Sequence, residues 1–584
     1  MVQIRIAMAQ VNPTVGDLEG NSRIVVDYVR RAAAQNAHLV VFPEMVVTGY
    51  PVEDLAVRNS FVSASVKATH ALAERLDAAG LGGLPVVVGF LDRRDGVGAK
   101  FGQPAGAPQN STALLHRGRV RLTSAKHHLP NYGVFDEFRN FVPGDSLAVV
   151  RLHGADIAFA VCEDLWQEGG PVTAVRAARA GLLITLNGSP YERDKDNVRL
   201  ELCQRRAREI NAAVGYVNMS GAQDELIFEG DSLIVDSDGE LVSRAPQFED
   251  HLLITDLDLP RADPGDPPGG PVDGIRVVRY TVSTEPVDRY EPRPPEVTPR
   301  PDPVSDIGEV YRALVVGLRD YVLKNRFGSV LVALSGGIDS ALTATIAVDA
   351  IGADNVHGIL LPSSYSSEHS IADAEELVKR QGITGRTIPI APVVDAFQAA
   401  NPVDGVAAEN LQARVRGTTV MALSNQEGHL VLATGNKSEL ATGYSTLYGD
   451  AVGAYAPIKD CWKTVVWDLA RWRNAQAERA GETPPIPENS ISKPPSAELR
   501  PGQLDTDSLP DYAVLDSLLD AYIGTDKGLA ELTSDGYAPD LVERVIGLVD
   551  RAEYKRRQYP PGPKISSRNL SRDRRLPITN RWTP

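Results

Sequence analysis

VLVALSGGIDSALTATIAVDAIG, residues 330–352, decides the fold of the half of the chain that contains it. Val330 to Leu334 form an apolar run short enough for a buried strand, Ser335 to Ser340 interrupt it with two glycines, and an Ala- and Thr-rich stretch of helical length follows. Strand, glycine turn and helix in that order build a parallel, doubly wound α/β sheet. The turn also has a chemistry. Gly336 and Gly337 let the backbone approach a ligand with no Cβ in the way. The free N–H groups at the helix start and the hydroxyls of Ser335 and Ser340 make a cradle for phosphate. Asp339 repels phosphate unless a divalent cation bridges them, so its presence marks a magnesium site.

Outward from this stretch, strand and helix signals alternate up to Leu440. Upstream, a helical pattern begins at Val304, and before it lies a stretch rich in Pro, Gly and charge (DLPRADPGDPPGGPVDG from Asp258, RYEPRPPEVTPRPDP from Arg289) that resists packing. We place the domain boundary there: 1–260, a linker 261–303, and 304–584. The first segment alternates short apolar runs (Ile4–Ala9, Leu39–Phe42, Val86–Phe90, Ile157–Val161, Leu182–Leu186, Leu233–Val235) with Ala-rich helical stretches, the pattern of layered α and β structure with a buried sheet.

With 584 residues the chain needs at least two hydrophobic cores. Lys plus Arg number 60 against 76 Asp plus Glu, a net charge of -16, which argues against a nucleic-acid partner. No apolar run approaches the ~20 residues that span a bilayer, and the N-terminal residues lack a signal-peptide pattern; we expect a cytoplasmic protein without a membrane partner. Three cysteines, Cys162, Cys203 and Cys461, exclude a disulfide framework.

One cysteine sits where chemistry is expected. Cys162 ends the apolar run in ADIAFAVCEDLW, Glu44 follows a strand in VVFPEMVVTGYP, and Lys126 lies in SAKHHLPNYGVFDE, with Glu137 eleven residues on. Attack of a thiol on a carboxamide needs a base, here Glu44, and a cation for the oxyanion, here Lys126; Glu137 is a second carboxylate for the leaving amine. Taken singly, each has an ordinary reading as buried thiol or solvated charge.

Together FPE, KxxLP and VCEDLW resemble the nitrilase superfamily over residues 1–260, which implies an αββα sandwich and a catalytic Glu, Lys and Cys in that chain order. LNGSPYERDK from Leu186 and GAQDELIFEGDS from Gly221 resemble the glutaminase domain of NAD synthetases. That resemblance implies a glutamine pocket lined by Tyr132, Asn187, Ser189 and Tyr191.

The 335–340 loop is not GxxxxGK[ST]; it resembles the PP-loop of ATP pyrophosphatases, which adenylylate a substrate, on a Rossmann-like domain. LATGNKSELATGYSTLYGD from Leu432 resembles the GTxNxSE segment of NAD synthetases, implying that Thr434 contacts ATP and that Glu439 joins Asp339 on magnesium. AAENLQARVRG resembles their ENxQxRxR pattern and implies that Glu409, Asn410, Gln412 and Arg416, with Glu439 and Lys555, bind a dinucleotide. By the same resemblance Lys459 and Lys463 of APIKDCWKT contact ATP, LLPSSYSSEHS reads as the MPSxYSS segment with Leu361 for Met, and ISKPPSAELRPGQLDTDSLPDY is a mobile loop in which Asp507 is the carboxylate of interest. The basic tail from Lys555 has two readings, a site for phosphates or a partner subunit, and a solvated surface.

The resemblance as a whole implies a carbon–nitrogen ligase. Glutamine supplies ammonia, ATP activates nicotinic acid adenine dinucleotide as an acyl-adenylate, and magnesium is the cofactor, in a homo-oligomer that family resemblance makes an octamer. Two other readings are weaker. GMP or asparagine synthetases share only SGGxDS and pair it with other glutaminase domains, and a non-catalytic dinucleotide-binding protein has no use for Glu44, Lys126, Cys162, Asp339 and Glu439 together.

Overall fold

Alternation along the strands sets the layers of the N-terminal part. Ile4, Ile6 and Met8 face one way and pack on Ile157, Phe159 and Ile184, while Ala7, Ala9 and Val11 face the other way and pack on Val25, Val29 and Leu72. A strand that buries both faces lies between a second sheet and a helix layer.

The computed structural model describes residues 1–94, 102, 104–193, 195–263, 270–297 and 305–582. The chain divides into two compact units, 1–223 with 228–300, and 224–227 with 301–584. Each is described by itself.

In the first unit one sheet runs His251–Leu259, Val2–Gln10, Leu39–Val41, Val86–Arg93, Pro108–His116, Arg119–Ala125. The other runs Leu241–Arg244, Leu233–Val235, Ala213–Asn218, Leu182–Asn187, Ala155–Val161, Ser146–Leu152, Arg276–Thr281. Helices Leu18–Ala34 and Asn59–Ala78 cover the first sheet. Gly170–Ala178 and Lys195–Ile210 cover the second. This is the expected αββα sandwich. The Pro-rich stretch expected as a linker contributes the edge strand Arg276–Thr281, parallel to Ser146–Leu152; its residues 264–269 and 298–303 lie outside the described residues, as does Val304, where the sequence places the start of the helical pattern.

The second unit carries a four-stranded parallel sheet in the order Thr384–Thr387, Val356–Leu360, Val330–Ala333, Leu430–Leu432. The chain winds from Val330–Ala333 to one side and later returns to the other, so the order reverses at the carboxyl end of that strand. This is where open α/β sheets bind ligands. Beyond the sheet, helices Tyr512–Gly524, Leu529–Ser534 and Pro539–Arg551 form their own apolar cluster around Leu515, Leu519, Val545 and Val549.

Candidate active sites

Three strand ends of the first unit converge on Cys162. The Ala155–Val161 strand leads into it, and the short helix Glu163–Trp166 leads out. Cys162 itself takes φ 44 and ψ -97, a backbone rarely adopted by a residue with a Cβ. Its N–H donates to the Leu186 carbonyl (3.0 Å), which ties the turn to the neighbouring strand.

Glu44 and Lys126 are paired at 3.0 Å and almost wholly buried. Glu44 Oε1 also accepts from Asn110 Nδ2 (2.5 Å), and Glu44 Oε2 accepts from the Gly188 N–H (2.7 Å). Lys126 Nζ donates to Glu137 Oε1 (3.0 Å), and the Tyr50 hydroxyl donates to the same oxygen (3.0 Å). Glu137 therefore braces the lysine. Burial opposes the ammonium of Lys126, but the charges of Glu137 and Glu44 outweigh it and raise its pKa well above the ordinary lysine value. Burial and the charge of Glu44 hold the Cys162 thiol far above its usual range, despite the nearby lysine. The cluster thus holds a neutral thiol, a fixed cation and a hydrogen-bonded carboxylate.

Asp164, two residues after the cysteine, accepts the backbone N–H groups of His127 (3.0 Å), His128 (2.8 Å) and Val161 (3.1 Å), joining the lysine segment to the nucleophile turn. Burial lifts its carboxyl to about 6 against the pull of those donors. Of the residues expected to line the pocket, Tyr132 donates to Glu163 (2.9 Å), and Ser189 accepts from Arg199 (3.0 Å). Tyr191 packs its ring on Phe248. Asn187 spends its amide on the carbonyls of Thr185 and Val217, inside the sheet.

In the second unit, the loop after Val330–Ala333 is closed by its own hydroxyls. Ser335 and Ser340 share a hydrogen bond (3.1 Å), and the Gly337 N–H donates to Ser335 (3.2 Å). Asp339 opens the helix Ile338–Ile351 and is gripped by Asn436 Nδ2 (2.9 Å) and by Lys463. Asn436 caps the helix Lys437–Thr442 in a reciprocal capping box with Glu439. That cap brings the second carboxylate to Asp339: burial and the charge of Asp339 raise the Glu439 carboxyl well above its usual range. Two hard oxygen donors beside a phosphate loop fit magnesium, which takes one or two carboxylates and completes its shell with water and phosphate. Among the described residues no cluster of three or more His, Cys, Asp or Glu forms a full metal cage.

Lys459 and Lys463 separate. Lys463 begins the helix Lys463–Arg479 and reaches Asp339, whereas Lys459 donates to the Pro560 carbonyl (2.8 Å). Asp516, unremarked in the sequence, accepts from Ser438 (2.5 Å) and from the Thr464 N–H (2.9 Å), fixing the start of that helix. Thr434 is half-buried on the segment before Asn436.

The helix Gly405–Glu427 faces the 488–509 segment, with Gln412 donating to the Leu499 carbonyl (3.0 Å) and Glu409 accepting from Gln503 (3.4 Å). Arg416 donates to the Leu361 carbonyl (3.1 Å), and Asn410 accepts from Thr446 (2.8 Å). Ser490 donates to the Gly336 carbonyl (2.9 Å), so the segment lies on the phosphate loop. Asp505 acts electrostatically on Glu439, while Asp507 pairs with Arg500 (3.0 Å).

Lys555 and Arg556 of the basic tail are held within the unit. Lys555 donates to the carbonyls of Gly443 (2.8 Å) and Ser445 (2.7 Å), and Arg556 to that of Ala441 (2.8 Å), closing the end of the helix that carries Glu439.

Comparison with known proteins divides the chain the same way. A carbon-nitrogen hydrolase model matches residues 5–264, and an NAD synthase model matches residues 310–559. The glutamine-dependent NAD(+) synthetase of Acinetobacter baylyi is 41% identical over 590 residues, covering 100% of both chains. That of Thermotoga maritima is 40% identical over 594 residues, covering 100% of this chain and 99% of its own. The solved structure of the Acinetobacter baumannii glutamine-dependent NAD+ synthetase in complex with ADP superposes with a TM-score of 0.72 at 37% identity, over 100% of this chain and 99% of that one.

Proposed function

The chain belongs to the glutamine-dependent NAD(+) synthetase family, a family of ligases that use ATP as co-substrate, and on that premise we propose how its residues divide the reaction. The observation that carries the reading is that one chain holds a buried Cys162–Glu44–Lys126 cluster in one unit and a phosphate loop facing paired carboxylates in the other.

In the first unit Cys162 attacks the side-chain carboxamide of glutamine. Because burial keeps the thiol protonated at neutral pH, its proton must leave as the C–S bond forms, and Glu44 takes it. Lys126, kept charged by Glu44 and Glu137, stabilises the oxyanion. Glu44 passes the thiol proton to the amide nitrogen, which departs as ammonia; it then takes a proton from the water that hydrolyses the thioester to glutamate and returns it to the Cys162 sulfur.

In the second unit the carboxylate of nicotinic acid adenine dinucleotide attacks the α-phosphorus of ATP, and pyrophosphate leaves. The 335–340 loop amides and hydroxyls hold phosphate, while Lys463 balances negative charge at Asp339. Asp339 and Glu439 would hold magnesium, which supplies charge neutralisation to the phosphates. The 488–509 segment excludes water from the acyl-adenylate. Ammonia then displaces AMP to give NAD, and it reaches the adenylate without mixing with bulk water. We assign the protein to the cytoplasm as a homo-oligomer; no helix among the described residues is long and apolar enough to cross a membrane.

The test is NAD formation by wild type and Cys162→Ala with glutamine or with ammonium. We expect glutamine-driven synthesis to fall by at least ~10³-fold, the scale of removing a nucleophile, and ammonium-driven synthesis to persist. Glutamine-driven synthesis by the variant at the wild-type rate would refute the role of Cys162.

A further inference from the structure

Among the described residues, the most deeply buried basic side chains of the first unit outside the catalytic cluster are two arginines of the helix Lys195–Ile210. Arg199 has no exposed surface and Arg206 has 2%. Seven residues apart, they lie on one face of the helix. Each spends its guanidinium on the backbone of a turn. Arg199 Nη2 donates to the Ser189 carbonyl (3.1 Å), the Ser189 hydroxyl (3.0 Å) and the Pro190 carbonyl (2.8 Å), and the side chain pairs with Glu229. Arg206 donates to the carbonyls of Leu165 (2.8 Å), Trp166 (3.0 Å) and Gln167 (2.7 Å).

Those two turns carry the ends of the site. The first begins at Gly188, whose N–H holds Glu44 Oε2. The second is the helix that leaves Cys162, with the Leu165 N–H on the Cys162 carbonyl (3.0 Å). A buried charge is costly unless paired and hydrogen-bonded, and apolar residues of similar volume would pack there at lower cost. What apolar residues cannot do is hold six backbone and hydroxyl acceptors in fixed directions.

We propose that Arg199 and Arg206 are positioning residues for glutamine hydrolysis. Through one rigid helix they set the turn that hydrogen-bonds the base and the nucleophile turn at a fixed separation. The proposal rests on the glutaminase reading of this unit.

The experiment compares full-length wild type, E44Q, R199K, R206K and R199M/E229L. R199K keeps the charge and loses the fork, whereas R199M/E229L restores apolar packing without the grip. Three readouts are taken: kcat and KM for glutamine, the iodoacetamide alkylation rate at Cys162 by peptide mass, and ammonium-driven NAD formation. Displacement of a catalytic group by about 1 Å costs ~100-fold in rate. We expect kcat in each arginine variant to fall about 10- to 100-fold with KM within about threefold. Alkylation should be slowed, as in E44Q, with ammonium-driven synthesis retained. A wild-type kcat in R199M/E229L beside an inactive E44Q overturns the proposal alone. Faster alkylation than wild type also overturns it, because a loosened core exposes the thiol whereas a displaced base leaves it protonated. Normal hydrolysis by E44Q overturns the glutaminase assignment and the proposal with it.

Discussion

Glu137 is enclosed by an ammonium, a phenol and a second carboxylate, and burial drives its carboxyl to about 7 although Lys126 pulls the other way. A carboxyl raised in the folded state gives its full stabilisation below the ordinary carboxyl range, and that contribution is lost as pH rises through about 7. The first unit should therefore lose thermal stability between about pH 4.5 and 7, and Glu137→Gln should flatten that fall. Melting curves at half-unit pH steps test it; an unchanged slope in the variant rules out the titration of Glu137 as its source. Cys162, Lys126 and Glu44 were legible in the sequence because an amide-cleaving thiol needs a base and a cation, and each stood at a strand end. Tyr50, Asn110 and Asp164 were not, because their partners lie far off in sequence and meet them only once the sheets are formed. Asn436 was legible in principle: Asn followed three residues later by Glu is a capping box, and the cap delivers Glu439 to Asp339.

At the scale of elements, two glycines show how little room the sites have. A Cβ on Gly89, in the Val86–Arg93 strand, would lie 2.1 Å from the Met45 nitrogen and 2.7 Å from the Glu44 carbonyl carbon, both backbone atoms that cannot rotate away. Gly89→Ala should cost about 1–3 kcal/mol and, by moving Glu44, lower glutamine hydrolysis ~100-fold, with ammonium-driven synthesis as the control. Gly336 has φ +78, and a Cβ there would lie 2.1 Å from the Ser370 carbonyl oxygen. Gly336→Ala should abolish NAD formation with either nitrogen donor while leaving glutamine hydrolysis, assayed without nucleotides, intact; NAD formation near the wild-type rate would show that the loop tolerates the displacement. The apolar runs announced the strands because buried parallel strands are continuously hydrophobic. The Arg276–Thr281 strand stayed hidden between prolines, since pairing along one edge asks little of composition. The helix Pro539–Arg551 had a readable helical spacing in Val542, Val545, Ile546 and Val549, which the surrounding loop and tail signals obscured.

For the molecule as a whole, the net charge of -16 means that its anionic substrates are held by local devices: loop amides, helix starts and single lysines. Lys555 and Arg556 of the tail do not reverse this, since they are spent on carbonyls of their own unit. The same economy bears on ammonia, which is mostly ammonium at neutral pH, whereas only the neutral form attacks an acyl-adenylate. Ammonia released to bulk water is protonated and diluted, so a chain carrying both activities gains from the fusion only if the intermediate stays with the protein that made it. Two half-active proteins test this. Cys162→Ala keeps the synthetase site, and Gly336→Ala keeps the glutaminase site. Purified separately and mixed at micromolar concentration with glutamine, ATP and nicotinic acid adenine dinucleotide, they should form NAD at a small fraction of the wild-type rate, on the order of a few per cent, and added ammonium should restore synthesis through the Cys162→Ala protein. Synthesis by the mixture near half the wild-type rate, without added ammonium, would mean either that ammonia travels through solution or that the variants exchange subunits. Repeating the mixture at tenfold dilution separates these, because a route through solution weakens with dilution and transfer within a stable mixed assembly does not.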